Sequence, residues 1–201
     1  MEALATLFAT RLVAALPFLD RATGIARLLT KKEQDGEEAI TVKLPIPVSF
    51  TAEDCDQNDR YLVPDAQNVG ILFFEDGGTG QVLNRDTPSA LGMRFSAMRL
   101  LLWVNTELLD GPLTEAMLLL AVEQALWIGQ HKNVGDFASL YTTYTSLPAE
   151  TSLFGRYSFA TETPLLLPPY RVLGLDLRSQ YQLTSACQMQ PLPGVKDPSP
   201  C

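Results

Sequence analysis

Histidine is almost missing from this chain, and cysteine is sparse and scattered. The one histidine, His131, and the three cysteines, Cys55, Cys187 and Cys201, share no ligand spacing. Neither a zinc site nor a disulfide framework is therefore expected. His131 reads as a surface or capping residue rather than half of a catalytic pair with Cys55. The same scatter favours a reducing compartment at synthesis. Positive charge is also in deficit: 15 Lys and Arg against 23 Asp and Glu leave a formal charge of −8. That balance argues against the basic face by which proteins displace counterions from nucleic acid. No apolar run reaches the ~20 residues of a membrane span. The leading MEALATLFATRLVAALPFL carries Glu2 where a signal peptide has positive charge, and Arg11 interrupts its apolar stretch. The chain reads as soluble and made in the cytoplasm, with no membrane partner.

Reactive constellations are scarce too. Asp54, Asp56 and Asp59 resemble a loose calcium loop, but the glycine at its sixth position and the closing glutamate at its twelfth are missing. The glycines of GGTG at 77–80 are followed by Gln81-Val82, not by the Lys-Ser/Thr of a phosphate loop, and they read as a hairpin turn. Lys31-Lys32 runs at once into Glu33, Asp35, Glu37 and Glu38, the pattern of a solvated hairpin tip. Glu115 and Glu123 lie about two helical turns apart, too far for one carboxylate pair. No catalytic residue, metal or cofactor is expected, and the protein is not expected to be an enzyme.

What is present is apolar bulk: 46% hydrophobic residues with 19% charged, enough for a real core. One α+β domain over 1–186 is expected, with an inserted surface loop (51–68), an extended arm (146–169) and a Pro-rich tail (187–201). A mixed or antiparallel sheet should be packed by an N-terminal helix (about 3–16) and a central apolar helix (about 112–128). In the first, Leu4, Phe8, Leu12 and Leu16 recur at helical spacing, and Pro17 ends it. In the second, Pro112 suits the first helical position and Gly129 a C-terminal cap. LTEAMLLLAVEQALWI is apolar nearly all round, so it should be covered on more than one side, by the sheet and by a neighbouring subunit.

Strands are expected at 24–29 and 39–50, with Pro45 and Pro47 marking an edge or bulge. Another is expected at 70–74, where EDGGTGQ then turns the chain into a return strand at Val82-Leu83. Residues 93–109 favour a long strand across the sheet centre, because Trp103, Val104, Asn105 and Thr106 suit a pleated surface. Leu, Met and Arg are also good helix formers, so a helix competes there. Residues 138–145 read as a strand, 151–163 as a strand or extended arm, and 170–183 as a cleanly alternating strand.

The order of these pieces resembles the tail-terminator and tail-completion (neck) proteins of tailed bacteriophages and related contractile injection machines. MEALATLFATRLVAAL matches the leading helix and MRFSAMRLLLWVNTELL the long central strand. LTEAMLLLAVEQALWI matches the helix on the sheet, and YRVLGLDLRSQYQLT the late strand. The resemblance implies a structural virion protein of the tail or neck, assembled in the bacterial host cytoplasm. Its partners would be identical copies in a ring, commonly six, with the tail tube protein and the head–tail connector. Such a ring needs two complementary faces and a side that closes by rotation. Acidic loops at 33–38 and 53–59 would let DNA pass an acidic lumen without sticking. The contact residues expected with a neighbouring copy are Phe154, Tyr157 and Phe159, and the Pro-rich stretch Leu165, Leu166, Leu167, Pro168 and Pro169. Three readings compete: another neck or connector protein, a ligand-binding or enzymatic α+β domain, and an acidic accessory or immunity-type binding protein.

Overall fold

The computed structural model describes residues 2–35, 38–48, 61–81, 93–109, 111–134, 137–148, 151–159 and 164–183. In chain order the elements are α1 (Glu2–Ala15), β1 (Arg21–Asp35), β2 (Glu38–Pro47), β3 (Gly70–Gln81), β4 (Arg94–Asn105), α2 (Glu115–Ala125), β5 (Gly129–Val134), β6 (Phe137–Leu147) and β7 (Tyr170–Leu183). The strands form one seven-stranded sheet in the order β2-β1-β3-β4-β7-β6-β5. Only β1 and β3 run parallel; every other pair is antiparallel. This is the expected α+β class with a mixed sheet.

The long strand wins at 94–105. Its residues Leu100–Val104 are buried on both faces, and β4 occupies the middle of the sheet. A central strand loses both faces to the core, so a continuous apolar run replaces alternation. On one face α1 lays Leu4, Phe8 and Leu12 over Leu72, Phe74, Leu100, Leu102, Leu173 and Leu175. Each such fully buried side chain is worth about 1.5–3 kcal/mol.

Three sequence expectations need correction. The glycine-rich stretch does not reverse the chain: β3 runs on to Gln81 with a bulge between Asp76 and Thr79, and stays paired to β4. Gly78 supplies the left-handed φ of +106° at that bulge. A Cβ on Gly77 would come 2.9 Å from the Ala97 carbonyl oxygen, so Gly77 serves close backbone approach and Gly78 the turn of the bulge. The expected return strand at Val82-Leu83 lies outside the described residues. Second, the KKEQDGEE stretch is mostly ladder, because β1 and β2 pair as far as Asp35 and Glu38. Main-chain bonds hold a hairpin whatever the polarity of its side chains. Third, α2 is shorter than 112–128. Thr114 is its N-cap, its hydroxyl accepting the Met117 N–H at 3.2 Å, and this leaves Pro112 in the preceding loop. The helix stops at Ala125, Trp127 takes a left-handed φ of 49°, and Gly129 opens β5.

α2 rests beside α1 rather than over the sheet centre. Arg11 ties the two helices: its Nε donates to the Ala125 carbonyl at 2.7 Å, and its guanidinium lies 3.3 Å over the Trp127 ring. A cation on the last carbonyls of a helix also suits the helix dipole. The two prolines of β2 do mark an edge strand. Its outer side is partly occupied by the chain itself, with Leu62 N–H on the Pro45 carbonyl and Ser158 bonded to Lys43.

Candidate interaction surfaces

The eight expected contact residues separate sharply. Segment 151–159 is neither strand nor free arm: a 3-10 turn (Thr151–Phe154) and the following bends fold onto the sheet face opposite α1. There Phe154, Tyr157, Phe159 and Leu166 are buried against Ile71, Phe73, Leu101, Trp103 and Val172. Phe73 meets Phe154 and Tyr157 edge-on at 6.3 and 5.9 Å, the geometry that ring quadrupoles favour. Leu165 is partly buried, and its carbonyl accepts the Trp103 Nε1–H at 2.6 Å. Pro169 accepts from the Thr106 hydroxyl through its carbonyl at 2.5 Å. Only Leu167 and Pro168 remain exposed. These residues therefore form the second half of this chain's own core. A greasy, proline-broken segment looks the same in sequence whether it covers its own sheet or a neighbour's.

Beyond that cap the same sheet face turns polar. Glu75, Arg99 and Asp176 stand in register on β3, β4 and β7. Glu75 is only 6% exposed. It accepts the Tyr157 hydroxyl at 2.6 Å and lies 3.3 Å from the Arg156 guanidinium. Burial and this carboxylate together push the Tyr157 phenol well above its ordinary value. Arg99 grips Asp176 with two parallel bonds, 2.8 and 3.3 Å. Those bonds raise the Arg99 pKa against desolvation, with Glu75 adding charge from the next strand. The concavity they line holds about 340 Å³. Arg99 and Asp176 pair within the sheet, while Glu75, through Tyr157 and Arg156, ties the 151–159 cap to it.

Two surfaces stand uncovered among the described residues. One is the outward side of α2. Leu118, Val122 and Ala125 point into the core, while Met117 and Leu120 are each 55% exposed. The two lie one turn apart on the side of α2 turned away from Leu118, Val122 and Ala125. The apolarity read from the sequence is real, and among the described residues only one side of it is covered. The other surface is a groove of about 520 Å³ on the far face of the sheet. Gly77, Gly78 and Ala97 line it, together with Phe95, Tyr141, Thr143, Arg178 and Gln180. Tyr141 is 44% exposed. Of these residues the sequence singles out Gly77 and Gly78, as a turn rather than as a groove wall. The available signal was in β7, whose Asp176, Arg178 and Gln180 alternate polar against the buried Leu175, Leu177 and Tyr181.

His131 sits in β5, a strand that the non-alternating GQHKNV hides, with its ring 6.2 Å from Trp127. Glu123 accepts the Tyr144 hydroxyl, and Glu115 lies exposed in the first turn of α2. Cys55, Cys187, Cys201, Asp54, Asp56, Asp59 and the 187–201 tail lie outside the described residues. Among the described residues no helix is long and apolar enough to cross a membrane. No protein-family model matches the chain, and no curated protein matches it significantly.

Proposed function

We propose that the protein is a structural assembly subunit of the tail-terminator kind, which its element order resembles. It works by joining copies of itself into a ring that caps a tail tube and meets the head–tail connector. Its place is then the tail or neck of a virion, assembled in the bacterial cytoplasm. The observation that carries this reading is the outward stripe of α2. Contiguous exposed apolar side chains on an otherwise well-packed domain mark an association surface. The acidic balance of the chain suits a lumen through which DNA passes without binding.

Light scattering and electron microscopy of the purified chain, alone and added to polymerising tail-tube protein, test the proposal. The expected result is a closed ring, free or at the tube end, and an arrest of tube growth. A chain that stays monomeric in both settings and leaves tube growth unchanged overturns it. The sheet-face groove favours one second reading, a small-ligand-binding domain. A monomer that binds a small molecule saturably in that groove would replace the ring.

A further inference from the structure

We infer that one buried water molecule is bound inside the sheet's helix-covered face, by the hydroxyls of Ser96, Ser179 and Thr142. Such a bridge does not depend on the ring reading. The three residues stand opposite one another on β4, β7 and β6, and each is 3% exposed or less. Side chains alternate along a strand. The neighbours two residues away include Met98, Leu177, Leu140 and Tyr181, which all belong to the core that α1 and α2 cover. The hydroxyls therefore form a polar row across an apolar layer.

Only part of that row is satisfied. Thr142 Oγ1 and Ser179 Oγ lie 3.2 Å apart and share one hydrogen bond. Ser96 Oγ is buried and meets no hydrogen-bond partner among the described residues. A buried hydroxyl without a partner has lost its hydration and gained nothing in exchange. Each hydroxyl brings one donor and two lone pairs. After the Thr142–Ser179 bond, the row still has two O–H protons to give.

Geometry decides what takes them. Directly opposite residues on antiparallel strands hold their Cβ atoms about 4.5–5.5 Å apart. Serine hydroxyls at that spacing that miss each other leave a gap one water spans. Room for it comes from side-chain length. The next core-facing pairs along β4 and β7 are Met98 with Leu177 and Leu100 with Leu175, which reach further into the core than serine does. A water beside Ser96 and Ser179, with Thr142 next to them, has the two to four polar partners that buried waters keep. Three neutral hydroxyls are too few for calcium or magnesium, which take six or more oxygens. The bridge also selects register, because a one-residue slip of β4 would turn Ser96 to the other face.

The test uses the full chain and turns on the sign of one substitution. Ser96→Ala removes the hydroxyl alone. If that hydroxyl holds a water, the variant is expected to melt about 2–4 °C below wild type. A hydroxyl that held nothing would leave the melt unchanged or raise it, because an unpaired polar group would be gone. A high-resolution crystal structure of wild type is expected to show a water within hydrogen-bond distance of both Ser96 Oγ and Ser179 Oγ. The two results together support the bridge. A variant that melts at or above wild type, or wild-type density without a water at Ser96, overturns it.

Discussion

Tyr157 donates its hydroxyl proton to Glu75 at 2.6 Å, and both side chains are buried under the cap that closes one face of the sheet. The bond joins residues from distant parts of the chain and makes the cap selective for one seating. Tyr157→Phe removes the donor and leaves the Glu75 carboxylate with Arg156 as its remaining partner. A loss of about 1–3 kcal/mol in urea unfolding is expected, the range for stranding a buried acceptor.

The same bond fixes an alkaline dependence. The folded chain holds the Tyr157 phenol above its ordinary value of 10.0. Its contribution to stability is present in full below about pH 10 and is lost as pH rises beyond, because the unfolded chain releases that proton first. The stability advantage of wild type over Tyr157→Phe is expected to shrink steadily as pH rises above about 10. Tyr144, hydrogen-bonded to Glu123, is shifted the same way. Ultraviolet difference titration of wild type against Tyr157→Phe and Tyr144→Phe should therefore show each of these two phenols ionising later in the folded chain than in the unfolded one. Ionisation of Tyr157 at its ordinary value in the folded chain would contradict the geometry.

Trp103 gives the clearest measure of what the Pro-rich segment does. Its indole N–H reaches the Leu165 carbonyl at 2.6 Å, and its ring stacks on Tyr170 at 5.3 Å. Deleting 164–169 is expected to unfold or loosen the monomer, seen as a red shift of Trp103 emission and a lowered melting temperature. A deletion that weakened association alone, with the melt unchanged, would return this segment to the interface. Leu167→Ser, at an exposed position, is expected to leave the melt within about 0.5 kcal/mol.

The fold was legible where burial dictates residue type. β4 reads as strand because a strand covered on both faces must be apolar throughout, and β7 because its two faces differ. α1 was legible for the same reason: Leu4, Phe8 and Leu12 meet one surface. β5 was hidden because GQHKNV lies at a sheet edge, where main-chain pairing needs no apolar side chain. The glycines of β3 suit a turn as well as a bulge, because both ask for the same residue. Most of all, sequence shows that Phe154, Tyr157, Phe159 and Leu166 want cover without showing whose. The groove escaped notice because its lining comes from four strands that only the topology brings together.

Gly174 tests the cap from beneath. It stands in β7 where a Cβ would approach the Leu153 Cδ2 to 2.6 Å and the Leu147 Cδ1 to 3.2 Å. Leu153 is buried within the cap, so its methyl groups have little room to yield. Gly174→Ala is expected to destabilise by about 1–3 kcal/mol, as overpacking does. It should also speed proteolysis within 148–164. Adding Leu153→Ala should recover part of the loss, since the two changes share one volume and are not additive. Equal stability for Gly174→Ala and wild type would mean that the cap rides higher on the sheet than described.

Arg11 offers the corresponding test on the other face. It donates to the Ala125 carbonyl at 2.7 Å and to the Gln124 carbonyl at 3.4 Å, and covers the Trp127 ring at 3.3 Å. Lysine could supply charge but neither the planar stack nor two donors fixed in one plane. Arg11→Ala is expected to cost about 1–2 kcal/mol, from the lost cap on α2 and the lost cation–π contact. Arg11→Lys should recover less than half of this, and Trp127 emission should shift in both variants. Since α2 carries the outward stripe, a frayed α2 end should also weaken self-association without any change on the stripe itself. Full recovery by lysine would show that charge at the helix end suffices and that the stack over Trp127 contributes nothing.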